Sequence, residues 1–283
     1  MTPISLRYFT KFVAAATLFL IFAGAMVTST GSGLAVPDWP LSYGMVMPPM
    51  VGGIFYEHGH RMIAATVGFL TVLQAIWLQL REPKRRVRIL GWCSVGAVIA
   101  QGLLGGLTVL FLLPKAISIG HAALAEIFFC LNVSIAYLTS YRASSRPSFV
   151  LPAIVYCQIL LGALMRHLGA GLAIPDFPLS FGQIVPSFTS AAIVVNFAHR
   201  VGAVVVLIAI IAAARRRMAF PLIGVVSLQI ILGAMTVWSG KHPIITSLHV
   251  MTGAATLAMS LIYALRTAAE EPAGAFVAGE VTA

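Results

Sequence analysis

The sequence predicts an all-α membrane protein, with eight transmembrane helices forming two pseudo-symmetric four-helix bundles and both termini cytoplasmic. Three observations predict it. Composition is 59% hydrophobic and 9% charged with mean hydropathy +0.96, far from a soluble domain's balance. The apolar residues fall in eight long continuous runs, where a β-barrel would show short alternating segments. One stretch is also written twice: GSGLAVPDWPLSYGMVMP at 31–48 returns as GAGLAIPDFPLSFGQIVP at 169–186, identical at eleven of eighteen positions.

Span one covers 9–30 and is approached from Arg7 and Lys11; its length marks a retained span rather than a removed signal. The first copy of the repeated loop follows, and span two runs from near His58 to about Leu80, ending in the basic cluster 81–88. Span three is 89–113, with a short turn at Pro114-Lys115, and span four is 117–141, leaving through Arg142 and Arg146. The plan then repeats. Span five is 149–165, span six 191–214 ending in three arginines, span seven 219–238 and span eight 244–265. The chain thus divides into an N-terminal four-helix half, 1–146, a C-terminal half, 147–266, and a disordered cytoplasmic tail, 267–283.

Thirteen of the eighteen Lys and Arg lie at the N-terminus, in the even-to-odd connections or at the exit of span eight. By the positive-inside rule these ends are cytoplasmic and both long loops face out, the halves being a parallel repeat about an axis along the membrane normal. The net charge of +10 sits in short clusters between apolar runs, which argues against nucleic acid as partner. Cys93, Cys130 and Cys157 all fall inside apolar runs, so no external disulfide or Cys-pair metal site is implied.

Near the outer end of each odd span is a small-residue motif: AGAM, LGGL, LGAL and LGAM, with glycines 24, 105, 162 and 233. Close helix packing is their expected role. Each is followed by a histidine opening the next span: His60, His121, His199 and His249, at gaps of 36, 16, 37 and 16 residues. One histidine at a span end is ordinarily interfacial. Four at equivalent positions point to a cofactor, since ionisable residues in spans are costly and mark function. Imidazole is an axial ligand of haem iron, and a helix bundle holds a macrocycle between facing helices. His60 with His121, and His199 with His249, give two bis-histidine sites. His58, His167 and His242 lack repeat counterparts and are expected to be solvated or interfacial.

The repeat fails at one position. Glu57 stands three residues before His60, where Asn196 stands before His199. A carboxylate sharing a helix face with a haem ligand moves protons or stabilises developing positive charge; its structural alternative is a first-turn carboxylate pairing with Arg61. Arg61 and Arg200 follow the two histidines and suit haem propionates. Asp38 and Asp176 are expected to cap turns over the sites. Glu126, five residues after His121, lies on another face, either in a proton path or paired with a polar neighbour.

Over about 8–266 the chain resembles the heme A synthase family, on Thr30-Gly31-Ser32-Gly33-Leu34, Asp38-Trp39-Pro40, Glu57-His58-Gly59-His60-Arg61 and the three further histidines. The resemblance implies oxidation of the C8 methyl of heme O to the formyl of heme A by successive hydroxylations with water-derived oxygen. It implies that His60 and His121 frame the substrate haem with Glu57 supporting the chemistry. His199 and His249 would ligate the iron of a resident haem b that passes electrons. Heme O would be delivered by heme O synthase, the product would serve terminal heme-copper oxidases, and a homo-oligomer is compatible with this reading. The chain departs from many bacterial members in lacking a cysteine pair in the first outer loop, which excludes a loop thiol mechanism. The alternative is a bis-histidine membrane cytochrome b acting only in electron transfer, which would need no acid beside one site; a transporter would place its charges at midplane broken helices.

Overall fold

Prolines and glycines divide the apolar chain into helices. The computed structural model describes residues 2–141, 143, 147–213 and 219–266; the expected tail and the basic residues Arg142, Arg146, Arg215, Arg216 and Arg217 lie outside them. The helices are α1 (Ile4–Ser29), α2 (Gly52–Arg81), α3 (Arg85–Leu110), α4 (Lys115–Ser140), α5 (Val150–His167), α6 (Ala191–Ala213), α7 (Ala219–Trp238) and α8 (Pro243–Arg266), with a 3₁₀ turn at Ala170–Leu172. Among the described residues there is no strand. All eight helices are long and apolar enough to cross a membrane. The shortest, α5, has 18 residues, about 27 Å at 1.5 Å each, close to the hydrocarbon thickness.

Glu82 is extended ahead of Pro83, which ends α2. Pro243 opens α8, where its missing N–H costs nothing. Gly31 and Gly169 close α1 and α5 with φ of 69° and 70°, a left-handed conformation that glycine adopts freely. One boundary differs from expectation: α2 starts at Gly52, about a turn and a half before His58. Glycine disfavours a helix start there by propensity, but Gly53 packs so closely on Ala35 that a Cβ would stand 2.8 Å from the alanine methyl. Packing overrides propensity.

The most buried spans are α4 and α8, with 50% and 56% of their apolar windows covered against 17–28% in the other six. They meet along Phe129, Val133 and Tyr137 against Ala254, Ala258 and Leu261, with Leu18 and Ile21 of α1 packed on the same cluster. A second cluster joins α5, α6, α7 and α8 through Val155, Ile210, Leu222 and Leu257. A third joins α1 to α4 through Leu6, Leu78, Val87 and Ile135.

Candidate haem sites

The duplicated sequence folds twice into the same turn. Ser42 pairs with Met45 and Ser180 with Gln183, around Tyr43-Gly44 and Phe181-Gly182, all four of positive φ. The Asp38 carboxylate accepts Tyr43 N–H at 2.6 Å and Gly44 N–H at 2.8 Å; Asp176 accepts Phe181 N–H at 2.7 Å and Gly182 N–H at 2.8 Å. These donors, Gly44 and Gly182 foremost, hold both carboxyls below the usual carboxylate range. The aspartates are turn braces, as their place between proline and an aromatic suggested. Trp39-Pro40 and Phe177-Pro178 are both cis.

Arg61 and Arg200 tie these loops to their helices. Arg61 Nη1 donates to the Asp38 and Leu41 carbonyls at 2.7 and 2.9 Å. Arg200 Nη1 donates to Leu179 O at 2.8 Å and Nη2 to Ile174 O at 2.9 Å. Glu57 lies in the second turn of α2, buried, with Oε1 2.6 Å from Arg61 Nη2 and Oε2 accepting Val36 N–H at 2.9 Å. Asn196, also buried, likewise accepts from its arginine, Arg200 Nε at 3.0 Å, but towards the loop it donates, to Ala170 O at 2.8 Å. Acid and amide thus do the same bracing work, with opposite hydrogen-bond sense only towards the loop. An ionised carboxylate has about four lone-pair sites, so Glu57 keeps acceptor capacity beyond its two bonds.

The four glycines do more than let helices approach. A Cβ on Gly24 would stand 3.0 Å from His60 Cε1; on Gly105, 3.4 Å from His121 Cε1; on Gly162, 2.8 Å from His199 Cε1; on Gly233, 3.1 Å from His249 Cε1. Each glycine seats the histidine of the following even-numbered helix. The His199 and His249 rings face each other with centroids 6.5 Å apart at 78°. A metal–imidazole nitrogen bond is about 2 Å and a ring centroid lies ~1 Å behind its nitrogen, so rings sharing one metal have centroids roughly 6 Å apart. The pair fits an iron between them. His60 and His121 are mutual electrostatic neighbours, and their buried Nδ1 atoms have no hydrogen-bond partner.

Glutamines back the second pair. Gln158 Nε2 lies 3.1 Å from His199 Nδ1 and donates to His199 O at 2.7 Å. His249 Nδ1 lies 3.0 Å from Gln229 O, and the Gln229 amide nitrogen 3.4 Å from His249 Nε2. In the first half Leu20 stands where these glutamines stand, four residues before the glycine. The Gln101 carbonyl faces His121 without reaching hydrogen-bond geometry. The signal was in the chain, as Gln-x-x-x-Gly at 101, 158 and 229, but its meaning needs the facing helix. Arg166, one residue past the expected end of span five, was also missed; it belongs to the last turn of α5.

Among the remaining histidines, His58 is buried rather than solvated, its Nδ1 2.8 Å from Ser42 Oγ, because α2 begins earlier than expected. His242 is exposed and His167 partly buried. Glu126 is buried with Oε2 unpartnered, near Cys130 and Tyr156. Among the described residues, no three His, Cys, Asp or Glu gather to hold a bare ion. Paired histidines seated on glycine between helices are a donor type suited to axial haem ligation, and the fold presents two such pairs within eight helices long and apolar enough to cross a membrane.

The chain matches the family model described as cytochrome oxidase assembly protein over residues 52–261. It is 31% identical over 216 residues to a heme A synthase of Symbiobacterium thermophilum, covering 70% of each chain. It is 34% identical over 204 residues to one of Shouchella clausii, covering 66% of this chain and 67% of that one. A third, from Halalkalibacterium halodurans, is 29% identical over 225 residues, covering 74% and 75%. The chain belongs to the heme A synthase family, within the cytochrome oxidase assembly proteins.

Proposed function

We propose that this protein converts heme O to heme A, oxidising the C8 methyl to a formyl by successive hydroxylations with oxygen from water. The observation that carries the proposal is Glu57: a buried carboxylate three residues before His60, where the second half has the neutral Asn196. His60 and His121 frame the substrate on the ring nitrogens left without partners, and the glycine seats fix how deep it sits. Each hydroxylation releases two protons and two electrons. Glu57, oriented by Arg61 and Val36 N–H, receives a proton from the attacking water through its free lone pairs.

His199 and His249 hold a haem b in the second half, which supplies one-electron redox capacity. Gln158 and Gln229 orient those imidazoles, and the braced loops exclude bulk water from both sites. The charge distribution supports a parallel repeat in a bacterial plasma membrane, with both termini cytoplasmic and both sites towards the outer face. Heme O synthase then supplies the substrate, and a terminal heme-copper oxidase takes the product.

Co-expression with a heme O source is expected to yield heme A on haem extraction and chromatography. Protein that binds haem but forms neither hydroxylated nor formyl product would overturn the proposal. Glu57→Gln, which keeps an oxygen for Val36 N–H, is expected to lower product formation about a hundredfold; an unchanged rate removes Glu57 from the chemistry.

A further inference from the structure

The two sites differ in charge as well as in their acid. On the loop side of the first half, Arg61 is opposed by Glu57 and by Asp38. In the second half Arg200 is opposed by Asp176 alone, because Asn196 replaces the acid, and Arg166 adds a second guanidinium. Lys115 and Lys241 stand one in each half, so they drop out of the difference and are left out of the count. The first site is therefore one charge negative and the second one charge positive. Among the described residues Arg61–Glu57 is the only ion pair, so Arg166 has no carboxylate within reach.

Arg166 stands four residues beyond Gly162, which seats His199, so it lies about one helical turn, ~6 Å, to the loop side of that seat. The equivalent residue in the first half is Thr28, whose hydroxyl bonds only its own helix, at Gly24 O, 3.0 Å. An arginine near a span end ordinarily snorkels to the interface. Arg166 instead turns inward and is partly buried, its Nη2 donating to Ala25 O at 3.1 Å and Ser29 Oγ at 2.8 Å on α1. Ser247 Oγ donates to the same Ser29 oxygen at 3.1 Å, two residues before His249. The guanidinium is thereby tethered beside the His199–His249 pair through Nη2. Among the described residues no hydrogen bond occupies its Nη1 or Nε.

We propose that Arg166, with Arg200, forms a carboxylate-binding site that the first half lacks, and that it anchors the acid side chains of the haem held by His199 and His249. This rests on the haem reading of the second pair. A macrocycle bearing two ionised carboxylates gains charge-assisted hydrogen bonds there. At the first site Arg61 is already neutralised by Glu57 at 2.6 Å. The difference makes the second site the one that retains its haem and the first the one that lets a haem exchange.

The test uses full-length protein carrying His60→Ala and His121→Ala, so that only the second site takes haem. It is titrated with protohaem and with protohaem dimethyl ester, following the low-spin bis-histidine absorbance. Arg166→Gln is expected to weaken protohaem binding about tenfold, Arg166→Lys to weaken it less, and neither to change binding of the ester. Equal protohaem binding by Arg166→Gln and the parent overturns the assignment. So does an equal loss of acid and ester forms, which marks Arg166 as structural only. Loss of a co-purifying anionic phospholipid with haem binding intact also overturns it, in favour of a lipid headgroup. Protein that takes up no haem in any form defeats the haem reading itself, a result distinguishable from all of these.

Discussion

A methyl group added at Gly162 would stand 2.8 Å from Cε1 of His199, and the Gln158 amide, one turn away on the same helix and 3.1 Å from Nδ1, holds the ring against α5. Gln158 is itself confined, since a Cβ on Gly202 would meet its Oε1 at 2.0 Å. The seat and its backing form one closely packed unit. Gly105 is looser, its Cβ position 3.4 Å from His121, which has no glutamine bond behind it. Gly162→Ala is therefore expected to cost about 1–3 kcal/mol of stability as overpacking and to abolish the bis-histidine spectrum of the second site. Gly105→Ala should leave the first pair able to bind haem. Spectra of the two variants reconstituted with protohaem check this; equal effects would contradict the asymmetry. The same packing explains why Trp39 lies over α3 where it does. A Cβ on Gly106 would come 2.7 Å from the indole, whereas Phe177, the smaller counterpart, faces Trp238 with its ring.

At the scale of helices, the two halves are joined internally by different means. Asn132 on α4 gathers its half: its Oδ1 accepts from Gln74 Nε2 on α2 at 2.9 Å and from Ser94 Oγ on α3 at 3.2 Å. Its Nδ2 donates to Thr17 Oγ1 on α1 at 3.4 Å. In the second half the matching residue, Ser260, bonds Leu257 O of its own helix, and apolar packing takes the place of the asparagine's links at that level. Asn132→Leu leaves the Gln74 amide without its acceptor and is expected to destabilise by about 1–3 kcal/mol, seen as an earlier thermal unfolding in detergent. Ser260→Ala should leave the melt in place. This difference between halves explains what could be read beforehand. The loops, the four histidines and the Glu57–Asn196 break were legible because local sequence carries them. The start of α2 was not, because Gly52 and Gly53 are poor helix formers until Gly53 meets Ala35. The glycines read as packing residues because periodicity says where a residue faces, not which side chain fills the space opposite. Gln158 and Arg166 act through partners 41 and more than 130 residues away, a distance no local pattern spans.

Across the whole molecule, the burial of α4 and α8 has a consequence for how the chain could be divided. Their contact, with α1 of the first half lying against α8 of the second, makes each half complete the other's core. Neither half alone would cover Phe129, Val133 or Leu261 with protein. The described residues of the connection between α4 and α5, by contrast, belong to none of the three core clusters. A gene cut there, with both pieces co-expressed, should yield fragments that find each other in the bilayer and co-purify without a covalent link. Either fragment made alone should be degraded. Recovery of a stable, haem-binding second fragment by itself would contradict that expectation. Two halves that repeat one loop are thus expected to fold as obligate partners of a single molecule.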